Sequence, residues 1–155
     1  MAGTSVSVSA EGFSRLDLLI GRLLDPYWDP LLDSIGALVV SQTEERIARS
    51  KTAPDGTPWL ALNPAYAKRK KKGGGILELE GDLRDSLVHL VTGKTSVSVG
   101  TNLVYAATHQ FGDQKRGIPQ REFLGLSPAD EEAINEMILD WAETQTDSYK
   151  EWARS

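Results

Sequence analysis

The sequence predicts an α+β fold in which helices pack on one face of a small, mainly antiparallel sheet. Two kinds of periodicity support this prediction: three longer segments carry apolar residues at helical spacing, and three short ones alternate apolar with polar residues. One long segment, rich in proline and glycine, interrupts both patterns. At 155 residues the chain (1–155) fits one domain, which is long enough to bury a core.

The N-terminal part of the chain predicts one strand and two helices. In TSVSVS, Val6 and Val8 alternate with serines, a pattern typical of a short strand. A helix is predicted from Glu11 to Leu24, ending near the two prolines of DPYWDP. A second helix is predicted from about residue 30 to about residue 50. Its apolar stripe consists of Leu31, Ile35, Leu38, Val39 and Ile47.

Residues 51–75 are predicted to form a long, flexible loop. Three prolines and Asp55-Gly56 break regular structure, and three consecutive glycines end the segment. Loops of this length in a compact domain are usually functional or disordered. Trp59 is the one residue expected to anchor the loop.

The C-terminal half predicts short elements followed by a long helix. ILELEGDLRDSL predicts a turn or short helix, and it precedes two strands, Leu87–Thr92 and Ser96–Thr101. VYAATHQFG predicts one or two helical turns, with Tyr105, Ala106 and Phe111 packed against the sheet and Gly112 as the left-handed residue that ends the helix. Ser127 is the expected N-cap of the terminal helix. The buried stripe of that helix consists of Ile134, Met137, Ile138 and Trp141.

Positive charge is concentrated in one stretch, KRKKK at residues 68–72. The chain has 17 Lys and Arg residues against 22 Asp and Glu residues, a net charge of −5. Without these five residues the balance is 12 against 22, or −10. A general nucleic-acid-binding domain usually has a broad basic face and a basic pI, whereas the pI here is about 5.1. The composition therefore argues against a dedicated DNA-binding domain, but it is compatible with one local DNA contact.

No pattern in the sequence predicts catalytic chemistry. The absence of cysteine excludes disulfides and thiolate metal sites. His109 lies four residues before Asp113, and His89 lies in a predicted strand, but neither has a nucleophile or a third ligand at suitable spacing. The carboxylates of Glu78, Glu80, Asp82 and Asp85 are interpreted as a solvated acidic segment. We therefore expect no enzyme activity, no metal and no cofactor.

Nothing in the chain predicts association with a membrane. The N-terminal residues have neither the basic region nor the apolar core of a signal peptide, and the apolar runs are too short to span a bilayer. No amphipathic basic helix accompanies the lysines. These observations predict a protein made in a cytoplasm.

Four segments between about residues 54 and 130 carry recognisable motifs: PDGTPWLALNPAYAKRKKK, ILELEGDLRDSL, SVSVGTNLVYAATHQFG and IPQREFLGLSPAD. In this order they resemble the virion morphogenesis, or tail-completion, proteins of tailed bacteriophages. The family pattern contains DG-x-x-W, TG-x-L-x-x-S, YA-x-x-HQ-x-G and IPAR-x-FLGLS. Glu80 and Gln120 depart from it, because the family usually has threonine and a small residue at these positions. The matching motif residues are Gly81, Tyr105, His109, Gln110, Gly112, Arg121 and Phe123.

The resemblance implies a structural protein that completes the phage tail and joins it stably to the DNA-filled head. Such proteins assemble as rings, often hexameric, so the implied partners are other copies of the chain, the tail tube and the connector or neck proteins of the head. The implied location is the head–tail junction of the virion, after assembly in the bacterial cytoplasm. The family is structural, so its motif residues are expected to support the fold.

The basic stretch has three open interpretations. Lys68, Arg69, Lys70, Lys71 and Lys72, together with Trp59, are the residues we assign to partner binding. The stretch could dock on an acidic neighbour, face DNA in the tail channel, or be a solvated loop without a partner. The alternative function is a nucleic-acid-binding accessory protein that uses residues 68–72 with Arg49 or Lys51.

Overall fold

A computed structural model describes residues 3–9, 28–70, 74–78 and 80–152 of the chain. The helix predicted from Glu11 to Leu24 lies outside these residues, as do Lys71 and Lys72 of the basic stretch. No helix in the described ranges is long and apolar enough to cross a membrane.

The sheet has three antiparallel strands in the order β1-β3-β2. They are β1 (Thr4–Ser9), β2 (Val88–Gly93) and β3 (Ser96–Thr101). Val99 of β3 lies opposite Val6 on one side and opposite His89 on the other. Val97 and Val99 are fully buried, whereas Ser96 and Ser98, which alternate with them, are partly exposed. The alternation therefore buries one face of the sheet, as the sequence predicts.

Five helices accompany this sheet in the described part of the chain. They are α1 (Asp29–Glu45), α2 (Pro64–Arg69), α3 (Asp82–Asp85), α4 (Ala106–Phe111) and α5 (Pro128–Trp152). A π-helical turn, Arg46–Ser50, extends α1. Ser127 accepts a hydrogen bond from the Asp130 amide at 3.1 Å, which confirms the predicted cap of α5. The architecture is α+β, as predicted.

The core lies between α1 and the buried face of the sheet. Leu31, Ile35, Val39 and Ile47 of the predicted stripe are almost fully buried, and Leu38 is partly buried. Gly36 allows α1 to approach β2 closely: a Cβ atom added there would lie 2.6 Å from the His89 ring. The terminal helix contributes its predicted stripe, with Ile134 and Ile138 buried and Met137 and Trp141 packed against the core. Trp141 also stacks on Trp28 at a ring separation of 4.9 Å.

The segment 51–75 is more structured than the sequence predicts. Thr52 and Pro58 form an isolated bridge, and residues 64–69 form α2. Asn63 caps this helix by accepting a hydrogen bond from the Ala65 amide at 2.9 Å, and Pro64 occupies its first turn. The prediction of a loop without secondary structure is therefore wrong for residues 64–69, since a proline interpreted as a helix breaker starts a helix instead.

Candidate assembly surface

A cleft of about 620 Å³ lies between residues 62–70, 77–78 and 80–83 on one side and residues 105–121 on the other. It brings together two regions that the sequence singles out. One is the basic stretch, through Lys70, and the other comprises the YAATHQFG and IPQREF motifs. The apolar lining comes from Leu62, Tyr66, Leu77, Leu83, Ile118 and Pro119. The charged lining consists of Lys70, Arg116 and Arg121 with Glu78, Glu80 and Asp82.

The described part of the basic stretch divides into two exposed cations and one that is held in place. Lys68 and Arg69 occupy the last turn of α2 and are exposed. Lys70 follows the helix, and its Nζ donates a hydrogen bond to the carbonyl oxygen of Gly75. Burial lowers the pKa of Lys70, and the nearby Glu78 carboxylate opposes this change. Lys68 and Arg69 are therefore the described cations of this stretch that are open to a partner.

Lys51 links the end of the π-helical turn to residues 76–78, which follow the basic stretch in the chain. It has a left-handed backbone conformation, with φ at 54°. Its Nζ forms an ion pair with Glu78 at 2.7 Å and also donates to the carbonyl oxygens of Ile47 and Ile76. Arg49 is exposed and pairs with Glu45 at 3.4 Å. Lys51 is thus engaged within the chain, whereas Arg49 is open to solvent.

Arg121 joins the two sides of the cleft from a buried position. The residue is 6% exposed, and its guanidinium donates to the carbonyl oxygen of Leu60 at 3.0 and 3.1 Å and to that of Ala61 at 3.3 Å. No carboxylate of the described residues forms an ion pair with it. Burial lowers the pKa of Arg121 from its ordinary value. Its hydrogen bonds fasten residues 60–61 to the IPQREF motif.

Trp59 fastens the same segment from the core. Its side chain is 7% exposed and its Nε1 donates to the carbonyl oxygen of Glu122 at 2.9 Å. The sequence predicts Trp59 both as the anchor of the loop and as a partner-binding residue. Its burial agrees with an anchor for residues 51–62, and the partner-binding role stays a prediction.

Gln110 forms hydrogen bonds with the backbone of residues 123 and 124. Its Oε1 accepts hydrogen bonds from the amides of Phe123 and Leu124 at 3.1 and 3.0 Å. Its Nε2 donates to the carbonyl oxygen of Leu124 at 2.9 Å. Gln110 is 5% exposed, and both Phe123 and Leu124 are fully buried. The glutamine therefore satisfies three backbone groups that water does not reach.

Two motif glycines adopt positive φ angles. Gly81 precedes α3 with φ at 91°. Gly112 ends α4 with φ at 76° and ψ at 171°, so its φ is positive as predicted but its conformation is not left-handed helical. A Cβ atom at Gly112 would lie 2.9 Å from the amide nitrogen of Gln120. Glycine is required there for both the backbone angle and the close approach of the two segments.

The prediction that Tyr105 and Phe111 pack against the sheet is wrong. Tyr105 is 44% exposed and Phe111 is 69% exposed, whereas Ala106 is fully buried. Since α4 has six residues, its buried face is limited to positions one turn apart, Ala106 and Gln110. Tyr105 instead contacts the ring of His109 edge-on, with 6.0 Å between the ring centres.

His109 is half-buried at the cleft and does not pair with Asp113. The Asp113 carboxylate accepts a hydrogen bond from Arg116 Nε at 2.7 Å. The buried Nδ1 of His109 has no hydrogen-bond partner among the described residues. Burial lowers the pKa of His109, and the cations Arg121, Lys70 and Arg116 lower it further. Within the described ranges, no three His, Asp or Glu side chains are grouped closely enough to hold a metal ion.

Acidification is expected to destabilise the protein through His109. Because its pKa is lower in the folded chain than its ordinary value of 6.5, the unfolded chain binds the proton more readily. The stabilising contribution is thus present above pH 6.5 and is lost as the pH falls below that value towards the lower folded pKa. Urea unfolding of the wild type and His109→Asn from about pH 7 to about pH 5 measures this. We expect the wild type to lose more stability than the variant, and parallel curves would contradict the expectation.

A buried ion pair that the sequence does not predict connects the end of α1, α5 and the FLGLS segment. Arg46 Nη2 lies 3.0 Å from Asp130 Oδ2, and both side chains are more than nine-tenths buried. Arg46 Nη1 also donates to the carbonyl oxygen of Phe123 at 2.8 Å. Asp130 accepts a second hydrogen bond, from the Ser127 amide at 2.8 Å. The spacing of Arg46 from Val39 and Thr43 places it on the buried face of the helix, which is the signal that could have revealed it.

Comparison with known proteins identifies a family match over most of the chain. The sequence profile of the phage virion morphogenesis family matches residues 14–143. An uncharacterized protein of Methanocaldococcus jannaschii is 33% identical over 92 residues, which are 56% of this chain and 67% of that protein. The Mu-like prophage FluMu G protein 2 of Haemophilus influenzae is 40% identical over 83 residues, 50% of this chain and 59% of that protein. The chain thus matches about two thirds or less of the length of these curated relatives. No solved structure matches the chain.

Proposed function

Because the chain belongs to the phage virion morphogenesis family, we propose that it completes the phage tail and joins it to the head as a ring of identical subunits. Membership of this family indicates a structural, non-enzymatic protein of the virion. The position at the head–tail junction, the ring and the joining step are the parts that we propose. The proposed partners are other copies of the chain, the tail tube and the connector or neck proteins of the head.

The distribution of charge is the observation that supports this proposal. Lys68 and Arg69 project from the end of α2, next to a cleft, on a chain whose remaining residues outside 68–72 carry a net charge of −10. A ring requires two different complementary surfaces on each subunit. Exposed cations on an acidic subunit provide one such surface, and they guide docking more than they stabilise the fold.

The exposed cations of the basic stretch are expected to act in joining and not in folding. Lys68 and Arg69 form no ion pair with a described residue, and exposed charges contribute about 0–1 kcal/mol to stability. A variant with Lys68→Gln, Arg69→Gln, Lys71→Gln and Lys72→Gln is therefore expected to fold normally. In a phage that lacks its own copy of the gene, this variant should leave tails and heads separate in electron micrographs.

A matched control distinguishes joining from a general loss of charge. Arg49→Gln together with Lys94→Gln removes two other exposed cations, and this variant should support normal joining. Lys70 is kept in both variants because its ammonium group donates a hydrogen bond to the Gly75 carbonyl oxygen. Full infectivity with the neutralised stretch would show that it is a solvated segment without a partner.

The salt dependence of DNA binding separates the proposed function from a nucleic-acid-binding one. If residues 68–72 neutralised phosphates of duplex DNA, the logarithm of the binding constant would fall with the logarithm of salt concentration by about 0.9 per phosphate. A protein that docks on other proteins is expected to bind free duplex weakly. Lys51 adds little to a DNA surface, because its ammonium group is paired with Glu78.

A further inference from the structure

We propose that β1 of one subunit pairs with β2 of the next copy of this chain, so that one sheet continues from subunit to subunit around the ring. This inference rests on the proposed ring and identifies the two edges that meet in it. The order β1-β3-β2 places β1 and β2 at opposite edges of the sheet. In the described ranges, neither strand forms a backbone hydrogen bond on the side that faces away from β3.

Both edge strands lack the residues that usually prevent two sheets from joining. Edge strands normally carry charged residues or proline, because their unpaired amides and carbonyl oxygens otherwise recruit another strand. Neither TSVSVS of β1 nor VHLVTG of β2 contains Asp, Glu, Lys, Arg or Pro, although 25% of the chain is charged. The bulge of β2 lies between Val91 and Gly93, so residues 88–91 stay regular. Both edges therefore offer main-chain donors and acceptors to a further strand.

The side chains at the two edges fit such a contact on both faces of the sheet. On the inner face, Val6 of β1 and Val91 of β2 are partly buried and pack against the core. Pairing of the two edges would place these valines in neighbouring strands and cover both further. On the outer face, Val88 and Leu90 of β2 are 62% and 67% exposed. The small serines of β1 leave room for these two side chains, and the added strand would cover part of them.

A ring favours pairing of β1 with β2 over pairing of either strand with its own copy. Pairing of β2 with β2 is two-fold symmetric and ends at a dimer, whereas β1 and β2 are two different surfaces whose contact repeats until the ring closes. A closed ring also leaves no open edge. Within one subunit, β1 and β2 both run antiparallel to β3 and therefore run in the same direction. The rotation between neighbours in a ring of several subunits is too small to reverse a strand, so the new pair is parallel.

Oxidation of paired cysteines tests the contact, because the chain has no cysteine of its own. Ser7→Cys combined with Leu90→Cys places one thiol on the outer face of each edge strand. Within a subunit both residues lie opposite Ser98, so about 9–10 Å separates them, beyond the limit of about 7 Å between the Cα atoms of a disulfide. Mild oxidation should therefore give a ladder of covalent multimers in a denaturing gel, from the purified protein or from assembled particles.

Two further double variants allow for the register of the new pair. They are Ser5→Cys with Leu90→Cys and Ser7→Cys with Val88→Cys, which correspond to shifts of two residues, the shift that keeps each side chain on its face. At least one of the three double variants should give the ladder. Ser7→Cys combined with Leu139→Cys, an exposed position of α5, is the control and should run as a monomer in the gel.

A lysine on the edge of β2 provides a second test. In the double variant that gives the ladder, a lysine at the other exposed position of β2, Val88→Lys or Leu90→Lys, should abolish it, because a charge on an edge strand opposes pairing. Urea unfolding should be unchanged, since both side chains are exposed. Leu139→Lys in the same protein is the matched control and should leave the ladder intact. A ladder that survives the lysine on β2 would overturn the proposal.

The remaining outcomes also decide the matter. Absence of the ladder from all three double variants, in the purified protein and in the particles, overturns the contact, as it would if a strand of another virion protein occupied either edge. A covalent dimer from Leu90→Cys alone shows that β2 pairs with its own copy, which also overturns it. Rings in electron micrographs without a ladder reject this contact and leave the proposed function intact. Normal head–tail joining after inactivation of the gene rejects the proposed function, whatever the gel shows.

Discussion

Arg46→Met is expected to lower the free energy of unfolding by about 3–5 kcal/mol, because it leaves the Asp130 carboxylate buried without its cation. The side chains of Arg46 and Asp130 are 7% and 5% exposed. The substitution also removes the hydrogen bonds to the carbonyl oxygens of Phe123 and Gly125. Urea unfolding at neutral pH, monitored by tryptophan fluorescence, measures the change.

Two further variants establish the cause of this loss. Arg49→Met removes an exposed arginine one turn away, whose pair with Glu45 is worth about 0–1 kcal/mol at most. Arg46→Met combined with Asp130→Asn leaves no unpaired charge in the core, so it should be less destabilised than Arg46→Met alone. Equal losses for Arg46→Met and Arg49→Met would contradict the importance of the buried pair.

Gln110→Leu is expected to cost about 3 kcal/mol or more. The leucine removes the partners of three buried backbone groups, the amides of Phe123 and Leu124 and the carbonyl oxygen of Leu124. A buried polar group left without a partner costs about 1–3 kcal/mol, and here three are affected. Chemical unfolding measures the global loss, and amide hydrogen exchange of Phe123 and Leu124 locates it.

Gln114→Leu is the matched control for this prediction. Gln114 lies in the exposed turn after α4, so the same substitution should change stability by no more than about 0.5 kcal/mol. If Gln110→Leu lowered the free energy of unfolding no more than Gln114→Leu does, the hydrogen bonds from Gln110 to residues 123–124 would not be a determinant of stability.

The sequence predicts the elements whose signals are local. Strand β3 follows from the alternation of Val97 and Val99 with serines, and the start of α5 follows from Ser127 and Pro128. The fold class follows from the same periodicities, because one buried face per element leaves few ways to pack three strands and several helices. The order of the motifs also identifies the family that the profile match confirms over residues 14–143.

The features that the sequence does not predict depend on tertiary contacts. The sequence predicts that Pro64 breaks regular structure, yet it starts α2 because Asn63 caps the helix from the preceding position. Lys51 resembled a free cation, but folding places it 2.7 Å from Glu78, twenty-seven residues later in the chain. The cleft is lined by residues about 40 positions apart in the sequence, such as Tyr66 and Tyr105. No local sequence pattern predicts that such residues lie close together.

Inactivation of the gene tests the central claim most directly, in the phage whose genome encodes this chain. Electron micrographs of the lysate are scored for complete virions, free heads and free tails. If the protein completes the tail and joins it to the head, DNA-filled heads and separate tails should accumulate, and purified wild-type protein added to the lysate should restore joined particles. Complete, infectious virions in the absence of the protein would contradict the proposed role at the head–tail junction.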